Sequence, residues 1–215
     1  QKTDLVSRSE VDLSTNLTKK EFIKKRKEIT NELFLNIPSG VGKSSEFKFN
    51  DYDFNLILNN GPKSLISKGF ATEEEIEKTE DNGKIEDADS TKVSQKAKSR
   101  GRNQLGSLGS GNHFLEVQEI EKIHDKETAK VFGIEKEGLI AIMIHSGSRG
   151  LGHQTASDYI QKMEKQYGWK DLPDRELICA PITSDLGKSY RSAMAAAANF
   201  AFVNRQIITF QVRKS

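Results

Sequence analysis

The sequence predicts an α+β fold, a mixed sheet backed by helices. Two observations supply the sheet: His113 to Ile120 alternates apolar and polar residues, and Leu139 to Ile144 is a short continuous apolar run. A third supplies the helices, because apolar residues recur at helical spacing over about 19 to 35, 153 to 167 and 190 to 212. The chain's 215 residues suffice for one sizeable core without disulfide or metal staples.

Taken in order, Thr18-Lys19-Lys20-Glu21 has the form of a capping box. A helix should follow to about residue 35, with Phe22, Arg26, Ile29 and Leu33 on or beside one stripe. Pro38 to Gly42 ends it. Phe47 to Leu58 mixes aromatic, aliphatic and Asp/Asn residues and declares neither helix nor strand. Thr72 followed by Glu73, Glu74 and Glu75 marks a second helix start, with acids where the helix dipole is positive. Residues 80 to 102 are polar without an apolar period, hence a loop or a solvated helix. In the helix over 153 to 167, Ala156, Tyr159, Ile160 and Met163 share a face, and Pro173 and Pro181 bracket the connection after it. Tyr190 to Val212 is alanine-rich, free of Gly and Pro, and apolar over much of its circumference, which marks a core helix.

That last helix runs nearly to Ser215 without a stop signal, and the chain starts at Gln1 without Met. Residues 1–215 are therefore expected to be one domain whose ends are not natural, with an incomplete sheet whose edges lie open. Composition narrows the class. Apolar residues make up 35% and charged residues 30%, and the formal net charge is +2. A general polyanion binder would carry a larger excess of cations, so nucleic-acid recognition must rest on local sites. The single cysteine, Cys179, excludes an internal disulfide and suits the cytoplasm. No apolar run approaches the ~20 residues of a membrane helix, so no membrane partner is expected.

Two segments carry chemistry. In Gln104 to Glu116 (QLGSLGSGNHFLE), Gly106, Gly109 and Gly111 interleave with Ser107 and Ser110 just before a strand. Such backbone lets amides converge on an anion. Asn112, His113 and Glu116 follow at once, and an extended strand would point His113 and Glu116 to opposite faces. In His145 to Gln154 (HSGSRGLGHQ), a buried strand delivers His145 at its end, and Arg149 lies four residues on, before a glycine-rich turn into a helix. Imidazole there can ligate a divalent metal and guanidinium can fork onto phosphate. The same letters also describe a plain loop with an incidental histidine, and a core histidine beside a surface arginine.

Gly40-Val41-Gly42-Lys43-Ser44 imitates the end of a P-loop, but the first glycine of that motif falls on Ile37 and a helix, not a strand, precedes it. A P-loop NTPase is set aside on both counts. Lys96, Lys98, Arg100 and Arg102 form a basic run before the glycine loop, ordinarily a solvated surface, with Arg100 the residue best placed for phosphate.

Together these motifs resemble the RtcB family of RNA ligases. QLGSLGSGNHFLE and HSGSRGLGHQ are its two signatures in order, supported by Asn36 to Gly42 (NIPSGVG) and by Ala193 to Gln206 (AMAAAANFAFVNRQ). The resemblance implies an RtcB-like fold and a ligase that uses GTP and two Mn2+ ions. It would join RNA 3′-phosphate or 2′,3′-cyclic phosphate ends to 5′-hydroxyl ends, in tRNA splicing or RNA repair, through a histidine–GMP intermediate. By the same resemblance His113 and His145 are metal ligands. Asn112, His113, Phe114, Leu115 and Glu116 lie against the guanylate, and Arg100, Gln104 and Arg149 hold RNA phosphates. RNA, with an archease-type activating protein, is the implied partner. The family's guanylylated histidine and its remaining metal ligands match nothing here: His124 and His153 stand in other contexts, and Cys179 is not the metal cysteine. The chain alone is therefore expected to be inactive. The competing class is a non-catalytic RNA- or nucleotide-binding module.

Overall fold

The structure is a computed structural model that describes residues 2–6, 10–40, 45–170 and 172–215. Strands β1 (Lys2–Val6) and β2 (Glu10–Thr18) open the chain. Thr18 then ends β2 and caps α1 (Lys19–Asn36) in one residue: its hydroxyl accepts from the Glu21 amide while the Glu21 carboxylate accepts from the Thr18 amide at 2.9 Å. This is the capping box read from the sequence, and Leu33 is the stripe residue it buries. The P-loop imitation beyond Gly40, residues 41–44, lies outside the described residues.

The undeclared segment resolves into α2 (Asp51–Asn60), whose N-cap Asn50 accepts from the Asp53 amide at 2.8 Å. Phe54, Ile57 and Leu58 are its buried face, at the i, i+3, i+4 spacing of one helix side. A 3-10 stretch (Gly61–Lys68) leads to the short α3 (Glu73–Glu77), again opened by a capping box. The polar stretch ends in α4 (Gln95–Arg102), capped by Ser94. Then come β3 (Phe114–Glu119), α5 (Lys126–Val131), β4 (Leu139–His145), α6 (Arg149–Tyr167) and α7 (Asp185–Lys214).

The sheet order is β1-β2-β4-β3, and all three ladders are antiparallel. The expectation of a mixed sheet is therefore corrected. Its strands pair without an intervening βαβ crossover, so nothing forces a parallel neighbour. The α+β class stands. Along β4, Ile140, Ile142 and Ile144 are buried while Ala141, Met143 and His145 are only half-covered, the period-2 pattern of a strand with one core face.

Two apolar cores follow. One joins Phe54, Leu58, Leu105, Leu151, Phe200 and Val203 between α2, α4, α6 and α7. The other joins Leu13, Ile144, Leu33, Phe202 and Ile208 between the sheet, α1 and α7. The 30 residues of α7 belong to both. At 1.5 Å per residue this helix is about 45 Å long, enough to run through the helical layer and on under the sheet. Among the described residues no helix is long and apolar enough to cross a membrane.

Candidate active site

Antiparallel pairing decides where the two glycine segments meet. The C-terminal end of β4 must lie beside the N-terminal end of β3, and His145 stands directly opposite Phe114 in the ladder. Their rings stack with centroids 5.0 Å apart and planes inclined by 10°. His113, one residue before Phe114, therefore sits at the same end of the sheet. The His145 imidazole is near enough to oppose a proton on His113.

His113 is half-buried, and its Nδ1 is shielded from solvent with no hydrogen-bond partner. Burial first, then the Arg149 guanidinium and His145, pull its pKa below the ordinary 6.5. At neutral pH the ring is uncharged, the form that offers a lone pair to a metal. Gly109 makes the floor beneath it. A methyl group there would lie 2.6 Å from His113 Cγ and closer still to Cδ2 and to Arg149 Nη1. The ring and the guanidinium thus rest on one bare stretch of backbone, which explains a glycine at that position.

Arg149 is the first residue of α6 and takes a left-handed backbone, φ 50°. For a residue with a Cβ this costs about 1–2 kcal/mol, and such outliers cluster at sites where geometry is functionally constrained. Its Nη2 donates to the Leu108 carbonyl at 3.0 Å, while its Nε is buried and unpartnered. Gln104 Oε1 accepts from the Gly150 amide at 2.8 Å, and Arg100 Nη1 donates to Gln154 Oε1 at 2.8 Å. Arg100, Gln104 and Arg149 thus gather around the first two turns of α6. Gly150 is inside the helix rather than in the turn before it, and a Cβ there would lie 2.7 Å from Gln104 Oε1, which favours glycine.

The rest of the basic run goes elsewhere. Lys98 is buried and donates to Asn55 Oδ1 at 2.8 Å, and burial lowers its pKa. Arg102 pairs with Asp51 and lies 5.0 Å from the centroid of the Phe54 ring. Neither is the solvated surface charge that the run suggested; Lys96 fits that description, and Arg100 is exposed as well although its guanidinium is held by Gln154. Within Asn112 to Glu116, Phe114 and Glu116 share the face of His145, and Asn112 and Glu116 are exposed. The Leu115 side chain turns the other way with Val117, into a groove of about 450 Å3 that Phe22, Leu33 and Phe34 also line. His124, His153 and Cys179 are all exposed; His153 lies one turn beyond Arg149 on α6, and His124 and Cys179 lie outside the named strands and helices.

Sequence reasoning missed the residue that ties the two loops together. Asn204, fully buried in the middle of α7, accepts from the amides of Gly106 at 2.7 Å and Ser107 at 3.3 Å. Its Nδ2 lies 3.3 Å from the Ser107 carbonyl, 3.1 Å from Ser146 Oγ and 3.4 Å from the Gly147 carbonyl. Next to it the buried Arg205 donates to the Ser146 carbonyl at 2.7 Å. The signal was present: an Asn-Arg-Gln run inside an otherwise apolar helix must have found polar partners.

Two imidazoles, one with an orphaned buried nitrogen, fit part of a metal's ligand shell. Among the described residues no group of three or more His, Cys, Asp or Glu completes it. The adjacent guanidinium would repel a bare cation, so the arrangement suits a metal accompanied by an anion such as phosphate.

An α+β chain with paired histidines, a guanidinium and helix amides at one end of its sheet is equipped to handle phosphoryl groups. The chain belongs to the RtcB family: the family model described as tRNA-splicing ligase RtcB matches residues 11–215. It is similar to the tRNA-splicing ligase RtcB of Nanoarchaeum equitans, 49% identical over 203 residues, covering 94% of this chain and 42% of that protein. The protein of the same name from Thermococcus kodakarensis is 50% identical over 208 residues, with 94% and 42% covered. That of Methanocaldococcus jannaschii is 50% identical over 206 residues, with 94% and 21% covered. The chain thus spans less than half the length of these curated relatives.

Proposed function

We propose that this chain is part of a GTP- and manganese-dependent RNA ligase that joins RNA 3′-phosphate or 2′,3′-cyclic phosphate ends to 5′-hydroxyl ends in tRNA splicing or RNA repair. The observation that carries the reading is the meeting of His113, His145 and Arg149 at one end of the sheet, in a chain whose family match runs from residue 11 to 215. In this reading His113 and His145 would hold Mn2+ through ring nitrogens. Bound there, the metal would neutralise charge on the phosphoryl group being transferred.

The chain's own residues then have defined tasks. Arg149 points its guanidinium along the same glycine floor as His113, so it binds a phosphate oxygen beside the metal ligands. Gln104 keeps its Nε2 for a second oxygen while its Oε1 caps α6, and Arg100 screens the same charge from the helix flank. Phe114 and Glu116, on the His145 face, meet the guanylate with Asn112 and His113, whereas Leu115 contributes through its backbone. RNA is the macromolecular substrate, and an archease-type protein is the proposed activator, both in the cytoplasm. The GMP-accepting histidine corresponds to none of this chain's four histidines. The 215 residues alone are accordingly proposed to gain no GMP mass when incubated with GTP and Mn2+.

Manganese titration followed by electron paramagnetic resonance tests the site directly. His113→Ala and His145→Ala should each weaken Mn2+ binding strongly and, in the protein expressed from its complete reading frame, abolish sealing of a 3′-phosphate/5′-hydroxyl RNA pair. Unchanged Mn2+ affinity in both variants sinks the reading.

A further inference from the structure

We infer that Asn204 is a positioning residue that sets the spacing between the two histidine-bearing loops; as a statement about metal binding this rests on the function proposed above. The first loop reaches His113 through Gly106, Ser107 and Gly109. The second leaves His145 through Ser146 and Gly147. Asn204 is hydrogen-bonded to both, accepting from the Gly106 and Ser107 amides and lying within donating distance of Ser107, Ser146 and Gly147 oxygens. A carboxamide alone among side chains of this size offers an acceptor and two N–H donors at one point. Aspartate would have no donor for the second loop, and leucine would leave both loops' buried polar groups unpaired. Because α7 is anchored in both apolar cores, the position from which Asn204 acts is itself rigid.

The alternative is that Asn204 only adds stability, as any satisfied buried amide does. The molecule supplies a matched control for that alternative. Asn199, five residues earlier in the same helix and equally buried, accepts from the Ile85 amide at 2.7 Å and donates to the Leu58 carbonyl at 3.0 Å. Asn199 does the same kind of work for segments that carry neither histidine.

The experiment compares Asn204→Ala with Asn199→Ala in the protein expressed from its complete reading frame, reading the imidazole NMR resonances of His113 and His145 and the Mn2+ affinity. Removing an outer partner that orients metal ligands lowers affinity by about 10–100-fold. Asn204→Ala should therefore shift both imidazole resonances and cost at least about tenfold in Mn2+ affinity. Asn199→Ala should leave both readouts unchanged even where it lowers the melting temperature as much. Imidazole resonances unmoved by Asn204→Ala, or moved equally by Asn199→Ala, overturn the inference. A wild-type protein that binds no Mn2+ defeats the proposed function only, since the resonances still decide the spacing. If Asn204→Ala does not fold, Asn204→Ser, which keeps a hydroxyl in the same space, is read by the same criteria.

Discussion

Replacing Gly109 by alanine adds one methyl group where the His113 ring and the Arg149 guanidinium both rest. The new carbon would stand 2.6 Å from His113 Cγ, and ordinary van der Waals contact begins near 3.4 Å, so the ring must retreat by about 0.8 Å or more. Overpacking of this kind costs about 1–3 kcal/mol. For a chain of this length each kcal/mol lowers the melting temperature by roughly 2–4 °C, so a drop of about 2–12 °C is expected. Function should suffer out of proportion. Displacing a ligand by about 1 Å can cost on the order of 100-fold in rate, and disturbed ligand orientation about 10–100-fold in metal affinity. The assay is a Mn2+ titration by electron paramagnetic resonance beside a thermal melt of the same sample. Wild-type Mn2+ affinity in a variant with the expected thermal loss would show that the ring does not bear on Gly109 in the way argued.

Arg149 gives a comparison of two truncations. Arg149→Gly and Arg149→Ala both remove the guanidinium, but at φ 50° glycine should be the more stable by about 1 kcal/mol, reversing the usual helical preference, and equal melting temperatures would contradict the strained backbone. Gly106→Ala should destabilise through φ 77° and a 2.6 Å approach to Ile207 Cγ2, with a thermal loss at least that of Gly109→Ala; a neutral outcome in a melt would refute it. The capping box carries a pH dependence. The Thr18 amide and hydroxyl hold the Glu21 carboxyl below its usual range, so its support of α1 is complete above the unfolded carboxylate value, near 4.3, and is lost as pH falls through the lower folded value. Amide protection factors in the first turn of α1 should therefore fall on acidification in the wild type but not in Glu21→Gln, and parallel profiles would exclude the box as the cause.

The helices with explicit caps or a long apolar stripe were legible in the sequence. α1 begins at the residue its capping box named, and α7 is the core helix its alanine run promised, opening slightly earlier at Ser184. The two strands nearest the site were legible too: β4 buries Ile140, Ile142 and Ile144 as its letters require, and β3 forms where the strand was expected, although its burial does not alternate. β2 was legible as well, in the alternation of Val11, Leu13 and Leu17 with polar residues, a signal that sequence reasoning missed. The rest failed for tertiary reasons. β1, five residues long, takes its form from pairing with β2. α2 was obscured because Asp51, Asp53 and Asn50, which look like turn formers, serve its N-terminus. At the site, the histidines, arginines and glycines were visible as letters. The support from Asn204 and Gln154 was not, because it depends on α7 and α6 crossing beneath loops distant in sequence.

A helix common to two cores removes the possibility of either melting alone. Since α7 supplies Phe200 and Val203 to one core and Phe202 and Ile208 to the other, loosening either layer strips partners from residues adjacent along the same rod. Amides at its centre should exchange only through global opening, with denaturation by heat or urea as a single transition. The loops beside His113 and His145 hang from that centre through Asn204, so they are tied to the segment that both cores share.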